Sequence, residues 1–287
     1  MKLDDGTVIE CKLLIGSDGE KSKTRAEYGI GAWGYSYNQN GLVCTVETLS
    51  PNNIAFQRFL RSGPVALLPL WGNFSSIVWT CSPDQCKDLQ DLSEKEFVER
   101  LNHALQDTSD VPALGDKIPS MLKSSSFEKP PLVTGVKTGR FAFPLTLNHA
   151  NECAANRMAL IGDAAHRIHP MAGQGLNLGL SDVAYLSNTL VKAKKGGADI
   201  GNFEHVLSKY NQQSKLNAYS VIGSIEFVKN SYTPSFLGSE TLGHGLSLAR
   251  NIGIDLIDSN DFLKFNFMNY ASGNYTHPLV YEWEKDQ

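Results

Sequence analysis

The chain alternates short apolar runs that end in glycine with longer stretches of strand or helix periodicity. Lys12-Leu13-Leu14-Ile15-Gly16-Ser17-Asp18-Gly19 is an apolar run closed by Gly and Asp-Gly, the pattern of a buried strand leaving its sheet at a tight turn. Ser22 to Tyr28 then reads as one or two helical turns. From about residue 40 to 150 the texture is extended: Leu42–Thr48, Ile54–Leu60, Val65–Leu70 and Ser75–Thr80 read as strands. The last three are separated by the turn clusters Arg61-Ser62-Gly63-Pro64 and Trp71-Gly72-Asn73, which makes a β-meander. Ser93-Glu94-Lys95-Glu96 begins a helix with a serine cap and an acidic first turn, and Phe97, Leu101 and Leu105 share one face of it. Leu132–Arg140 and Phe141–Leu145 return to extended structure. Met158 to Ile161 is a short buried strand, and a helix opens at Gly173-Gln174-Gly175 and runs through Leu176, Leu180, Val183, Ala184 and Leu190. Phe203–Asn217 is helical by pattern. Leu242, Leu246, Ala249, Gly253 and Leu256 recur at the spacing of an amphipathic helix, Phe262, Phe265, Phe267 and Met268 form an apolar patch, and Tyr275–Gln287 reads as a tail. The fold class expected is α/β (α+β mixed).

Composition narrows the function classes. The 287 residues are 41% hydrophobic and 20% charged, enough to build a core and too apolar for wholesale disorder. With 26 Lys+Arg against 30 Asp+Glu and a net charge of -4, there is no basic field for phosphate neutralisation, so no nucleic-acid partner is expected. The longest apolar run, Val65 to Leu70, is broken by Pro69 and falls short of the roughly 20 residues of a spanning helix. The five cysteines, Cys11, Cys44, Cys81, Cys86 and Cys153, are odd in number and point to a reduced compartment. Cys81 and Cys86 stand at C-x4-C spacing without a second ligand pair, so they read as loop thiols rather than a metal knuckle.

Two features of the first forty residues set expectations. Asp5-Gly6 is a hairpin signal, yet only Met1-Lys2-Leu3 precedes the turn as a first arm, so the chain reads as entering in the middle of a β-unit, a fragment. Gly29-Ile30-Gly31-Ala32-Trp33-Gly34 spells G-x-G-x-x-G, but a helical stretch precedes it and Tyr35–Gly41, loop and strand in character, follows. A pyrophosphate cradle needs a strand before and a helix after, so the motif reads as a flexible connector.

The densest chemistry lies at 157–182. Gly162-Asp163 ends a buried strand with a carboxylate able to accept from hydroxyls, Pro170 fixes a turn, and two glycines at a helix start leave N–H groups uncovered at the positive end of the helix dipole. That combination suits a polyol beside an acceptor-rich heterocycle. His166 and His169 form a His-x-x-His pair beside Pro170 with no third ligand in view, and backbone and cofactor neighbours are expected there rather than a metal.

At this point the residues resemble a family. Gly162-Asp163-Ala164-Ala165-His166, Pro170 and Gly173-Gln174-Gly175-Leu176-Asn177 are similar to the second FAD-binding motif of the single-component flavoprotein aromatic hydroxylases. Ile15-Gly16-Ser17-Asp18-Gly19 with Ser22 and Arg25 resembles their middle Asp-Gly motif. Phe56–Leu60 with Ser62-Gly63-Pro64, and Ala66–Leu70, bring the likeness closest to the ubiquinone-biosynthesis monooxygenases of the mitochondrial type. The resemblance covers most of residues 3–215.

It implies a partial Rossmann-like FAD-binding domain with an inserted mixed β-sheet substrate domain and C-terminal helices. The boundaries expected are 1–30 and 156–200 for the FAD-binding parts, 31–155 for the substrate domain and 201–287 for the helical region and tail. It implies FAD as cofactor, with Asp163, after Gly162, on a ribityl hydroxyl. The backbone of Gly173, Gln174, Gly175, Leu176 and Asn177 would face the flavin pyrimidine edge, with Pro170 near the reactive edge. Asp18 and Gly19 would lie near the pyrophosphate, helped by Arg25. Phe141, Phe143 and Leu145 would line the substrate cavity. No side-chain nucleophile or base is required, since the protein's task is positioning, a dry pocket and charge stabilisation. The implied partners are a polyprenylated aromatic substrate hydroxylated at ring position five, molecular oxygen, an electron donor (a ferredoxin system or NAD(P)H) and a ubiquinone-biosynthesis complex. The implied place is the matrix side of the mitochondrial inner membrane, in peripheral contact with it. The Gly-rich unit that holds the ADP half in this family is not found in these residues. Two alternatives stand beside this reading: a non-catalytic truncated subunit of that complex, and another flavin-dependent hydroxylase or reductase.

Overall fold

The computed structural model describes residues 5–60, 62–106, 129–231, 260 and 265. Its elements follow the order β1 (Leu14–Gly16), α1 (Lys23–Glu27), β2 (Ala32–Thr48), β3 (Phe56–Leu60), β4 (Gly63–Pro69), β5 (Phe74–Cys81), α2 (Pro83–Asp91), α3 (Glu94–Gln106), β6 (Val133–Val136), β7 (Phe141–Ala150), β8 (Ala154–Ala155), β9 (Met158–Leu160), β10 (His166–Arg167), α4 (Gln174–Lys195) and α5 (Ser208–Ser231). This is a mixed α/β chain. It divides into two compact units: one joins the residues up to Tyr35 with Thr146–Phe227, and the other is built on Ser36–Leu145.

The inserted unit is a sheet with one face covered by helices. β2, β5, β4 and β3 pair antiparallel in that order, and β6 pairs with the end of β2. Leu42, Cys44 and Val46 alternate inward with Val65, Leu67, Ile77 and Trp79, and this face packs on Cys86, Leu89, Phe97, Leu101 and Leu105 from α2 and α3. Ser93 caps α3 as its sequence signals, exchanging bonds with Glu96 in both directions. Arg140 donates to the carbonyls of Leu89 and Leu92, satisfying the C-terminal end of α2, and lies over the Phe97 ring.

The other unit carries the three-stranded sheet β1-β9-β8, together with α4 and α5 as far as Phe227. β9 is buried at every residue, as a strand covered on both faces must be. Its core joins Met158, Ala159 and Leu160 to Leu186 of α4 and Tyr210 of α5, whose hydroxyl donates to the Leu160 carbonyl at 2.5 Å. No helix among the described residues is long and apolar enough to cross a membrane.

Three expectations are corrected. The second half of the Gly29–Gly34 motif is not a connector but the start of β2, which runs from Ala32 through the strand expected at 42–48. Gly34 permits this, because a Cβ there would lie 1.9 Å from the Leu147 carbonyl oxygen of β7. The helix α2 was not expected; Ser82, Pro83 and Gln85 build its capping box. The region 203–217 is helical, but it opens with a π-turn at Phe203–Leu207 and continues to Ser231. The amphipathic pattern at 242–256, the tail and most of the 262–268 patch lie outside the described residues, as does the first arm of the Asp5-Gly6 hairpin.

Candidate functional site

β1 and β9 are parallel neighbours in register, Leu14 opposite Met158 and Gly16 opposite Leu160. Two strands that run the same way and stop at the same level release their turns at one sheet edge. The Asp18-Gly19 turn and the Gly162-Asp163 turn therefore leave side by side, at the carboxyl ends where open α/β sheets bind ligands. Gly16 is needed for this fit, since a Cβ there would meet Leu160 and Thr24 at 2.8 and 2.9 Å.

Arg25 links the two turns. Its guanidinium donates to the carbonyls of Ala164 and Glu20, both at 2.7 Å, so its charge is placed between backbone segments. Asp18 is likewise engaged within its own turn: it accepts from the Ser22 hydroxyl at 2.5 Å and from the Thr24 amide and hydroxyl at 3.0 and 3.1 Å. Partial burial pushes its carboxyl up, but these donors outweigh it and hold the pKa below the ordinary carboxylate value. Gly19, at φ +83°, has open space where a side chain would stand.

Asp163 is the contrasting case. It is exposed, and its carboxylate takes no hydrogen bond from the described residues. It sits on a 3-10 turn, Gly162–Ala164, whose first residue has φ +60°. The Gly162 amide donates to Asp182 of α4 at 2.9 Å, and Gly179 lets that helix pass so closely that a Cβ there would touch the Gly162 Cα at 3.3 Å.

α4 opens at Gly173, in the left-handed region at φ +61°, after the 3-10 turn Pro170–Ala172 capped by His169. A Cβ at Gly175 would meet nothing within 4 Å, Leu176 is 73% exposed and Asn177 is exposed, with its amide 3.4 Å from Gln174 Oε1. The first turn of α4 is thus an uncovered N-terminus on a 22-residue helix. Gly162, Asp163, Pro170 and Gly173–Asn177 all belong to the β9–α4 connection and its helix start, and the Asp18 turn is tied to them through Arg25.

Phe141, Phe143 and Leu145 lie along β7 in the other unit. Phe141 is 64% exposed, whereas Leu145 is buried, and the side chains of Phe143 and Leu145 lie over Gly41 of β2.

The sequence reading missed the buried polar group beneath this site. Asp182 accepts from Gly162 N, from His166 Nε2 at 2.6 Å and, through its other oxygen, from the Ser214 hydroxyl at 2.7 Å, all in the interior. The available signal was an acid on the buried stripe Leu178, Asp182, Leu186. His149 of β7, opposite His166 of β10, and Cys153 complete the cluster. Burial draws the His149 pKa down to about 4 and pushes the Cys153 thiol up to about 12. His169, the histidine that the sequence pairs with His166, instead accepts from the Met171 amide at 3.0 Å.

The sequence model of the family described as FAD binding domain matches residues 2–222. The chain is 36% identical over 283 residues to the human "Ubiquinone biosynthesis monooxygenase COQ6, mitochondrial", covering 94% of this chain and 59% of that protein. It is 35% identical over 285 residues to the protein of that name from Xenopus tropicalis, covering 95% of this chain and 60% of that one. It is also 33% identical over 272 residues to the "Ubiquinone hydroxylase UbiL" of Rhodospirillum rubrum, covering 94% and 56%. The chain therefore spans less than two thirds of the length of these relatives. Among solved structures it shares its fold with the Diels-Alderase PyrE3, at a TM-score of 0.60 and 18% identity, covering 95% of this chain and 52% of that one. A similar likeness holds for PqsL, a probable FAD-dependent monooxygenase from Pseudomonas aeruginosa, at a TM-score of 0.56 and 19% identity over 85% of this chain and 61% of that one.

Proposed function

The chain belongs to the FAD-binding-domain family, and from that premise we propose that it acts in a FAD-dependent monooxygenase that hydroxylates the aromatic ring of a polyprenylated ubiquinone precursor, at ring position five. The observation that carries the reading is the pairing of a free, exposed Asp163 carboxylate with the open glycine start of α4.

The residues present fit FAD. Asp163 has its acceptor oxygens available for ribityl hydroxyls, and the first turn of α4, without a side-chain cap at Gly173, would offer amide donors and positive dipole to the electron-rich pyrimidine edge. When bound, the flavin with molecular oxygen supplies the hydroxylating chemistry. The chain's own residues orient and hold it. Asp182 fixes the Gly162 amide, so the turn presents Asp163 at a set angle. Gly179 keeps α4 close beneath, and Arg25 holds the Asp18-Gly19 turn against the Ala164 carbonyl, where the cofactor's phosphates would lie. Phe143 and Phe141 on β7 are offered as the aromatic side of the substrate cavity.

The rest of the reading goes beyond the relatives' names, and the mitochondrial designation of several of them and the substrate's chemistry support it. A polyprenyl chain is so apolar that delivery from a membrane surface is expected, which fits a peripheral place on the matrix side of the mitochondrial inner membrane. Electrons come from a ferredoxin system or NAD(P)H, and the protein works within a ubiquinone-biosynthesis complex. The test is genetic and chemical together. Supplying the gene to cells deleted for their ring-five hydroxylase should restore ubiquinone, and D163A should not. Persistent accumulation of the unhydroxylated polyprenyl phenol with an expressed, folded protein would reject the assignment.

A further inference from the structure

His149 and His166 face each other as cross-strand partners of β7 and β10, and Cys153 follows three residues after β7. The three are buried, and each offers a ligand atom within 4.8 Å of the others'. Their protonation follows from their neighbours. His149 Nδ1 lies 2.6 Å from the Ala150 carbonyl, which can only accept, so Nδ1 carries the proton and Nε2 a lone pair. His166 Nε2 is engaged by the Asp182 carboxylate at 2.6 Å, which leaves Nδ1 as the ring nitrogen turned elsewhere. The two remaining ring nitrogens, His149 Nε2 and His166 Nδ1, are buried without a hydrogen-bond partner. Two unpartnered imidazole nitrogens beside one thiol in the interior are costly as they stand and are the donor set of a borderline-soft cation.

We propose that His149, Cys153 and His166 bind a zinc ion, with a water as the fourth ligand. The surroundings are those of a metal-bound histidine. Asp182 orients His166 through its far nitrogen, the carboxylate–histidine–metal arrangement, and is itself held by Ser214 and the Gly162 amide. The Ala150 carbonyl does the same for His149. Binding releases the Cys153 thiol proton to solvent and changes no oxidation state. The charges of Zn2+, one thiolate and the Asp182 carboxylate sum to zero, so the ion neutralises a buried acid. Trp33 and Tyr219 stack on the His149 ring at 5.5 and 4.9 Å between centroids and shield it. Such an ion ties β7, the segment after it and β10 together beneath the Gly162-Asp163 turn.

The test needs no flavin, so its failure is separate from failure of the flavin reading. The chelator-stripped 287-residue chain is titrated with Co2+ and then Zn2+. The expected result is one ion per chain, with the visible d–d bands of a tetrahedral cobalt site, a thiolate-to-cobalt charge-transfer band in the near ultraviolet, and displacement by zinc. C153S, a change of one atom, should keep its circular dichroism, lose the charge-transfer band and bind zinc at least about tenfold more weakly, and D182N should weaken it by roughly 10- to 100-fold. Zinc should raise the melting temperature of the wild type and not of C153S. Absence of stoichiometric binding, or binding as tight in C153S as in the wild type, overturns the proposal and leaves a buried water as the partner of the two nitrogens.

Discussion

At Asp18 the carboxylate is committed to its own turn by three donors from Ser22 and Thr24, and the consequence is a pH dependence of known sign. Its folded pKa lies below its unfolded value, so protonation favours the unfolded chain. The stabilisation is complete above the ordinary carboxylate range and is lost as pH falls through the folded value. The melting temperature of D18N should therefore lie below that of the wild type at neutral pH, and the gap should close below about pH 4. A gap of the same size at both ends of the titration would mean that the turn does not depend on the charge. Asp163, by contrast, makes no hydrogen bond with the described residues, so folding has no call on it. A charged acceptor on a ribityl hydroxyl is worth roughly 1.5–3 kcal/mol, so D163A should weaken flavin binding by about ten- to over a hundredfold, read by fluorescence titration. Its melting temperature without flavin should stay at the wild-type value. A large loss of stability in D163A would assign the carboxylate to the fold instead.

Within α4, two glycines four residues apart have different duties. A side chain at Gly175 meets open space, whereas one at Gly179 runs into the Gly162 backbone. Close helix packing is thus the work of Gly179, whereas the space beside Gly175 is open. G179V should lose about 1–3 kcal/mol of stability through overpacking. G175V should stay within about 1 kcal/mol of the wild type, the span of helix propensity, while losing flavin affinity by blocking the ring's approach. Equal destabilisation by both, with flavin binding intact in G175V, would return Gly175 to a packing role. These elements were legible in the sequence because their signals are local: an apolar run, a Gly-Asp stop, a proline, then glycines at a helix start. α2 was not legible, although Ser82-Pro83 announces a cap, because only Cys86 and Leu89 face the core and two positions make no periodicity. The first half of β2 was hidden because Ala32–Gln39 is exposed or half-exposed throughout, so no alternation marks it. The His149–Cys153–His166 cluster could not be read at all, since strand pairing and the fold, rather than spacing, bring its members together.

At the scale of the chain, one unit is assembled from segments on either side of the inserted sheet, so the two turns of the site meet only through the long-range pairing of β1 with β9. On the proposed reading, the ring and ribityl ends of a flavin would be held by the start of α4 and by Asp163, and a phosphate would come to the Asp18-Gly19 turn. The adenosine half has no comparable partner among the described residues. Gly29–Gly34, which has the glycine spacing of a dinucleotide cradle, runs into β2 and presents no helix N-terminus. FMN lacks the adenosine together with one phosphate, so if that AMP half contributes little, the two flavins should bind alike. The 287-residue chain should therefore hold FMN and FAD with dissociation constants within about tenfold of each other, a difference of no more than about 1.4 kcal/mol. Calorimetric titration of the flavin-free chain with each ligand measures this directly, and D163A should weaken both in parallel, because the ribityl hydroxyls are common to them. FAD binding more than about a hundredfold tighter than FMN would show that residues of this chain hold the adenosine as well. Parallel loss in D163A with near-equal wild-type affinities would locate the cofactor contacts of these residues at the β9–α4 connection.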